Sequence, residues 1–139
     1  MDATQALLSV PAARTVGLVL LTMVFIAYGG TFLLRVVRGG FQATDLQKAF
    51  FRAGHAHAGV LVTLGIVVRL AVDLAGVTGL ASTLANGVLW AAVLMPAGFF
   101  LSVASKGAVR PSRLIALLWL GAGALAVGLV AAGAGLLSL

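Results

Sequence analysis

The chain has two histidines, His55 and His57, and they lie one residue apart in the stretch AGHAHAG (residues 53–59). Imidazole titrates near physiological pH, transfers protons and binds transition metals. Three roles are therefore open to these residues: ligation of a metal or haem, a proton-responsive site, or ordinary hydrogen bonding at a membrane interface. The element that carries the histidines decides between these roles.

The H-x-H spacing argues against a joint metal site. Residues two apart on a helix are rotated by about 200°, whereas helical metal sites use ligands at i and i+3 or i+4. The chain has no cysteine, and its acidic residues are three aspartates. The sequence thus predicts no metal site and no cofactor. The alternative is a haem or transition metal bound by His55 or His57 across a subunit interface.

The helix that carries the histidines has a polar stripe. Its polar residues recur at intervals of three and four, which places them on one face of a helix. His57 is rotated away from that face, so we expect the two histidines to meet different neighbours. The residues of the predicted stripe are Asp45, Lys48, Arg52, His55, Gly59, Val62, Ile66, Arg69 and Asp73.

Two partners for this stripe are predicted. Tyr28 and Thr31 form a polar edge on the preceding helix, and we expect one of them to hydrogen-bond His55. At the other end, Arg69 and Asp73 have the i, i+4 spacing of an ion pair. Small residues at helix crossings let backbones approach closely. They are Gly54 and Gly59 near the histidines and Gly128 in the last helix.

Composition shows what kind of helices the chain forms. The 139 residues are 62% hydrophobic and 9% charged, far from the balance of a soluble domain. A transmembrane helix needs about 20 apolar residues, and the chain offers four such runs. The sequence predicts one all-α domain over 1–139, a four-helix transmembrane bundle with spans at approximately 12–37, 45–76, 82–104 and 111–137.

The basic residues predict the orientation. Seven of the nine lie in or beside the loops that join spans one and two and spans three and four. The positive-inside rule places these loops in the cytoplasm and both termini outside, an N-out/C-out topology. The net charge of +6 is thus explained by topology rather than by nucleic acid. The partners predicted are the lipid bilayer and, at the basic loops, anionic lipid headgroups.

Two long stretches carry a resemblance. FFRAGHAHAGVLVTLGIVVRLAVD and MPAGFFLSVASKGAVRPSRLIALLWLGAGAL resemble a group of small four-span membrane proteins of high-GC bacteria that carry no assigned activity. The resemblance implies a multi-pass protein of the bacterial cytoplasmic (inner) membrane. Haem-copper oxidase-like membrane proteins also carry histidines close in sequence, but they add further histidines from other spans, which this chain lacks.

No catalytic constellation is present, since the serines lack a spaced histidine and carboxylate. We therefore expect a non-enzymatic membrane protein, a subunit of a homo-oligomer or larger membrane complex, with the histidine and arginine stripe as its functional locus. One alternative is a pH-sensitive oligomeric channel or transporter lined by the stripe. The other is the haem- or metal-binding protein described above.

Overall fold

The computed structural model describes residues 7–139, and this part of the chain is helical without strands. Four helical segments are long and apolar enough to cross a membrane. The protein is therefore an all-α four-helix bundle of the multi-pass membrane class, as the sequence predicts. Its elements are α1 (Val10–Val37), α2 (Asp45–Leu74), α3 (Gly79–Ala85), α4 (Gly87–Ser102), a 3₁₀ turn (Arg113–Ile115) and α5 (Ala116–Leu137).

Local signals explain where the helices begin. Ser9 caps α1 through the amide of Ala12. Thr44 and Gln47 form a capping box at the start of α2, and Ser112 caps the 3₁₀ turn that leads into α5. Side-chain oxygens at these positions satisfy amides that a helix leaves without partners.

The third span differs from the prediction, which placed it at 82–104. Gly76 and Gly79 adopt positive φ angles of 72° and 69°, so the chain turns early and α3 starts at Gly79. The span is then interrupted at Asn86, whose side-chain amide donates to the carbonyl oxygens of Ser82 and Thr83. It consists of α3 and α4, separated by one residue. The second and fourth spans also shift by two residues, to end at Leu74 and begin at Arg113.

The loops meet at one end of the bundle, called the basic end here because the two arginine- and lysine-rich loops lie there. The buried Gln47 donates to the carbonyl oxygens of Val103 and Ser105 at 3.0 and 3.1 Å. Thr44 donates to the carbonyl oxygen of Ala108 at 2.6 Å. These bonds fasten the loop after α4 to the start of α2.

The helices pack unequally. Glycines bring α5 against α3 and α4: Gly121 faces Met95 and Gly128 faces Val88 on α4, and Gly135 faces Ala81 on α3. In contrast, Ala12 and Val36 are the buried residues of the 28-residue α1. The bundle is thus a dense unit of α2 to α5 with α1 attached along α2.

Candidate functional site

The candidate site is the seam between α1 and α2, where the His55 ring is half-buried. It lies against two consecutive glycines of α1. A methyl group at Gly30 would lie 3.6 Å from His55 Nε2, and one at Gly29 would lie 3.8 Å from Nδ1. These are ordinary van der Waals distances, so a gap about one methyl group wide separates this part of α1 from the imidazole.

The predicted hydrogen bond from Tyr28 or Thr31 to His55 does not form. Tyr28 is 75% exposed, and the Thr31 hydroxyl donates to the Tyr28 carbonyl oxygen at 2.7 Å. Adjacent helical residues differ by about 100° in direction, so turning Gly29 and Gly30 towards α2 turns the polar edge away. The spacing of Tyr28 and Thr31 correctly places them on one face of α1. The face of α1 that meets His55 is instead the one that carries Gly29 and Gly30.

His57 occupies a separate environment, as the spacing predicts. Its ring lies 4.9 Å from the Phe99 ring on α4, and its Nδ1 lies 2.8 Å from the Ala53 carbonyl oxygen. An Nδ1–H proton thus satisfies that carbonyl. In residues 7–139 no group of three histidine, cysteine or acidic side chains gathers where a metal ion could bind.

Two pockets open beside His55, and they lie on its two sides. The smaller has a volume of about 290 Å³ and is lined by α1, α2 and α4, including Phe25, Phe32 and Phe100. The larger is a shallow groove of about 680 Å³ over α2, lined by Met23 of α1 and by Ala56, Gly59 and Thr63. We call them the aromatic pocket and the wide groove.

His55 lacks a hydrogen bond within the described chain, residues 7–139. A neutral imidazole carries one donor and one acceptor, and leaving these groups without partners in apolar surroundings costs free energy. The pockets give other molecules access to the ring. The hydrogen-bonding groups of His55 are thus accessible from the two pockets.

Of the three glycines predicted to lie at close helix contacts, only Gly59 remains uncovered. A side chain at Gly54 would meet the Phe100 ring at 2.8 Å, and one at Gly128 would meet the Val88 amide nitrogen at 2.7 Å, so both lie at close contacts. Gly59, predicted to be another close contact, has no neighbouring atom within 4 Å on its Cβ side in the described chain. The helix packing of a single chain therefore leaves Gly59 unexplained.

Arg52 extends from the basic end of the stripe and is exposed. With Lys48 it borders an open pocket of about 500 Å³ whose other walls include Val36 and Phe41. Lys48 also pairs with Asp45 at 3.2 Å in an exposed ion pair. Two cations above apolar walls form a surface suited to an anionic amphiphile.

The opposite end of the stripe contains a network. Arg69 Nη2 lies 3.3 Å from Asp73 Oδ1, which forms the predicted pair. Ser9 adds two hydrogen bonds: its amide donates to Asp73 Oδ2 at 2.8 Å and its hydroxyl to Oδ1 at 2.6 Å. Sequence reasoning missed Ser9, because its spacing relates it only to its own helix and not to a residue 64 positions away.

The stripe does not form a continuous polar path in the single chain. Between His55 and Arg69 it presents Gly59, Val62 and Ile66, of which Val62 is buried against α4 and α1. The channel and haem interpretations thus remain predictions about an assembly.

Comparison of the chain with family models, with curated proteins and with solved structures finds no match. The fold and the seam define the class, a multi-pass helical membrane protein. Its function is argued from this geometry.

Proposed function

We propose that the protein is a non-enzymatic subunit of a homo-oligomer in the bacterial cytoplasmic membrane, assembled through α2. The contact surface is the assembly face, defined as Ala56, Gly59, Val60, Thr63 and Val67. Uncovered Gly59 is the observation that carries the proposal.

The other glycines inside α2 show what a glycine does in this helix. Side chains at Gly54 and Gly65 would collide with Phe100 and Leu89 of α4. Glycine lowers helix stability by about 1 kcal/mol relative to alanine, so it is useful where another element approaches. Gly59 has the same local chemistry without the neighbour, and a helix of another subunit would supply one.

The residues around Gly59 fit a helix crossing. Ala56, Val60, Thr63 and Val67 are exposed, and the Thr63 hydroxyl is satisfied by the Gly59 carbonyl oxygen at 2.9 Å. Gly59 and Thr63 form a small-x-x-x-small pair, the pattern that permits close backbone contact in membranes. The line from Gly59 to Thr63, along which a second backbone would lie, thus carries neither a bulky side chain nor an unsatisfied polar group.

A second copy of the chain suits this face best. Copies inserted with the same orientation share a symmetry axis along the membrane normal, so a symmetric contact sets Gly59 of one subunit opposite Gly59 of the other at equal depth. Both backbones then gain from the missing side chains. On α5, Gly121, Gly128 and Gly135 contact α3 and α4. The open glycines of α5 each lie one turn from bulky exposed side chains that would hold a second backbone away: Gly123 between Trp119 and Val127, and Gly133 between Leu129 and Leu137.

Cysteine crosslinking in native membranes tests the assembly, because the chain has no cysteine of its own. Gly59→Cys should form a disulfide-linked dimer on oxidation. The matched control is Gly123→Cys on α5, which also has open space around it. The two positions lie about 10 and 15 Å along their helices from Arg52 and Arg113.

Equal crosslinking at both positions would indicate random collision and contradict the proposal, as would none at Gly59→Cys. A second variant, Gly59→Ile, should shift the protein from oligomer to monomer in single-molecule photobleaching. Gly123→Ile should leave the distribution unchanged.

The proposed orientation has both basic loops in the cytoplasm and both termini outside. The distribution of arginine and lysine supports it. A cysteine replacing Ser138 should then react with a membrane-impermeant maleimide in intact cells, and one replacing Ser105 should not. The opposite labelling pattern would show that the basic loops lie outside and would contradict the proposed orientation.

A further inference from the structure

We infer that the aromatic pocket binds an uncharged, planar ring compound that carries a carbonyl or hydroxyl oxygen and an apolar tail, the chemistry of a quinone or quinol. His55 would hydrogen-bond the oxygen, and the phenylalanines would hold the ring. The site lies on the other side of His55 from the assembly face, so it does not depend on the proposed oligomer.

His55 provides the polar recognition. It is the one titratable side chain that lines the pocket, and it has no hydrogen bond within residues 7–139. A neutral imidazole can donate to a carbonyl oxygen or accept from a hydroxyl. The wall carries no aspartate, glutamate, lysine or arginine to balance an ionic ligand, so an uncharged molecule with one hydrogen-bonding oxygen fits best.

The pocket also has an aromatic framework. Phe25 and Phe32 come from α1 and Phe100 from α4. The buried Phe51 connects two of them, with its ring 5.3 Å from that of Phe32 and 5.8 Å from that of Phe100. Rings held by such contacts favour stacked or edge-on packing with another ring.

Size and access fit the same ligand. The volume of about 290 Å³ is at the small end of ligand pockets, enough for one substituted ring. Gly29 and Ala58 keep the walls low beside His55. The pocket is open along the bundle surface, within spans long enough to cross the membrane, so a tail would extend into lipid.

The test uses a decyl-substituted benzoquinone as the probe and the full chain in lipid nanodiscs, with ¹⁵N-labelled histidine. The two histidines give two ring signals, and His57 is the internal reference because its ring packs on Phe99 instead. Saturable movement of the His55 signal alone is expected. Equal movement of both signals, or movement that never saturates, would mean partitioning into the bilayer and overturn the site.

Two alanines on either side of His55 provide a matched pair of variants. Ala58 lines the aromatic pocket and Ala56 lines the wide groove. Ala58→Phe should weaken binding at least tenfold, whereas Ala56→Phe should leave it within about twofold. The reverse order would place the ligand in the wide groove and overturn the inference.

A last comparison tests the hydrogen bond. Decylbenzene, which has no oxygen, should bind about five- to tenfold more weakly than the quinone to the native chain. The His55→Phe variant, which cannot bond the oxygen, should bind decylbenzene and the quinone equally. If the native chain binds both compounds equally, His55 does not recognise the oxygen and the ligand class is wrong.

Discussion

The contact between α4 and α5 and the contact between α1 and α2 use glycine in different ways. In the first, glycines bring backbone against backbone: Gly98 meets the main chain of Leu118, and Gly87 meets the Ala124 carbonyl oxygen. In the second, a methyl group added at Gly29 or Gly30 would reach the His55 ring only at ordinary van der Waals distance, so the contact is loose. One contact excludes everything else, and the other leaves pockets on both sides.

The difference shows how a chain of such simple composition separates stability from binding. Helices in lipid gain little from burying apolar surface, so close packing stabilises them instead. The contacts among α2, α4 and α5 supply that packing. Helix α1 is bonded at its start by Ser9 with Asp73 and packs near its other end through the Phe32 and Val36 cluster. Its middle packs on the core only through partly buried side chains, Val19, Met23 and Ile26, and pockets remain beside them.

The largest effect is expected where backbones touch. Gly98→Ala should destabilise the protein by about 3 kcal/mol, because the added methyl group collides with the Leu118 main chain, which cannot move aside as a rotamer would. Unfolding in mixed micelles would measure it. Gly123→Ala, which adds the same methyl group in open space, should not destabilise. Equal losses would show that glycine conformation, not contact, governs α4 and α5.

A smaller effect is expected where Asp73 of α2 bonds to Ser9 at the start of α1. Asp73→Asn removes the charge that pairs with Arg69 and weakens the acceptance of two hydrogen bonds from Ser9. It should lower the melting temperature less than Gly98→Ala does, and it should increase the mobility of a spin label placed at Leu7. Asp45→Asn breaks an exposed pair and is the control, with little expected change. An unchanged label would mean that Ser9 does not fasten α1.

The smallest effect is expected on the exposed face of α1. Leu21 is 65% exposed, so Leu21→Ala should change stability by no more than about 0.5 kcal/mol. Val88→Ala, at a side chain with no exposed surface, should cost clearly more in the same assay. A large loss at Leu21 would show that the exposed face of α1 is packed in the membrane, and the contrast between the two contacts would disappear.

Apolar runs predicted the four spans, and helical periodicity predicted the different surroundings of His55 and His57. These follow from short-range geometry, which one helix fixes by itself. It could not predict which side of α1 meets α2. That rotation depends on contacts between surfaces far apart in sequence, such as Met23 and Ile26 against the core around Val62.

The same limit applies to the long-range polar contacts. The capping role of Gln47 was predictable, but its bonds to the carbonyl oxygens of Val103 and Ser105 were not. The break at Asn86 arises from the competition of its side chain for main-chain carbonyls, a known tendency of asparagine that spacing alone does not locate. Gly59 was identified from its sequence context, but only the fold shows that it lacks a neighbour.

The bonds between Ser9 and Asp73 also bear on the order of synthesis. Because Asp73 follows Ser9 by 64 residues, α1 is made and enters the bilayer well before its acceptor exists. During that interval α1 lacks this polar connection to α2. The bonds then close as the end of α2 is completed, so the beginning of the first helix is fixed only after the second has been made.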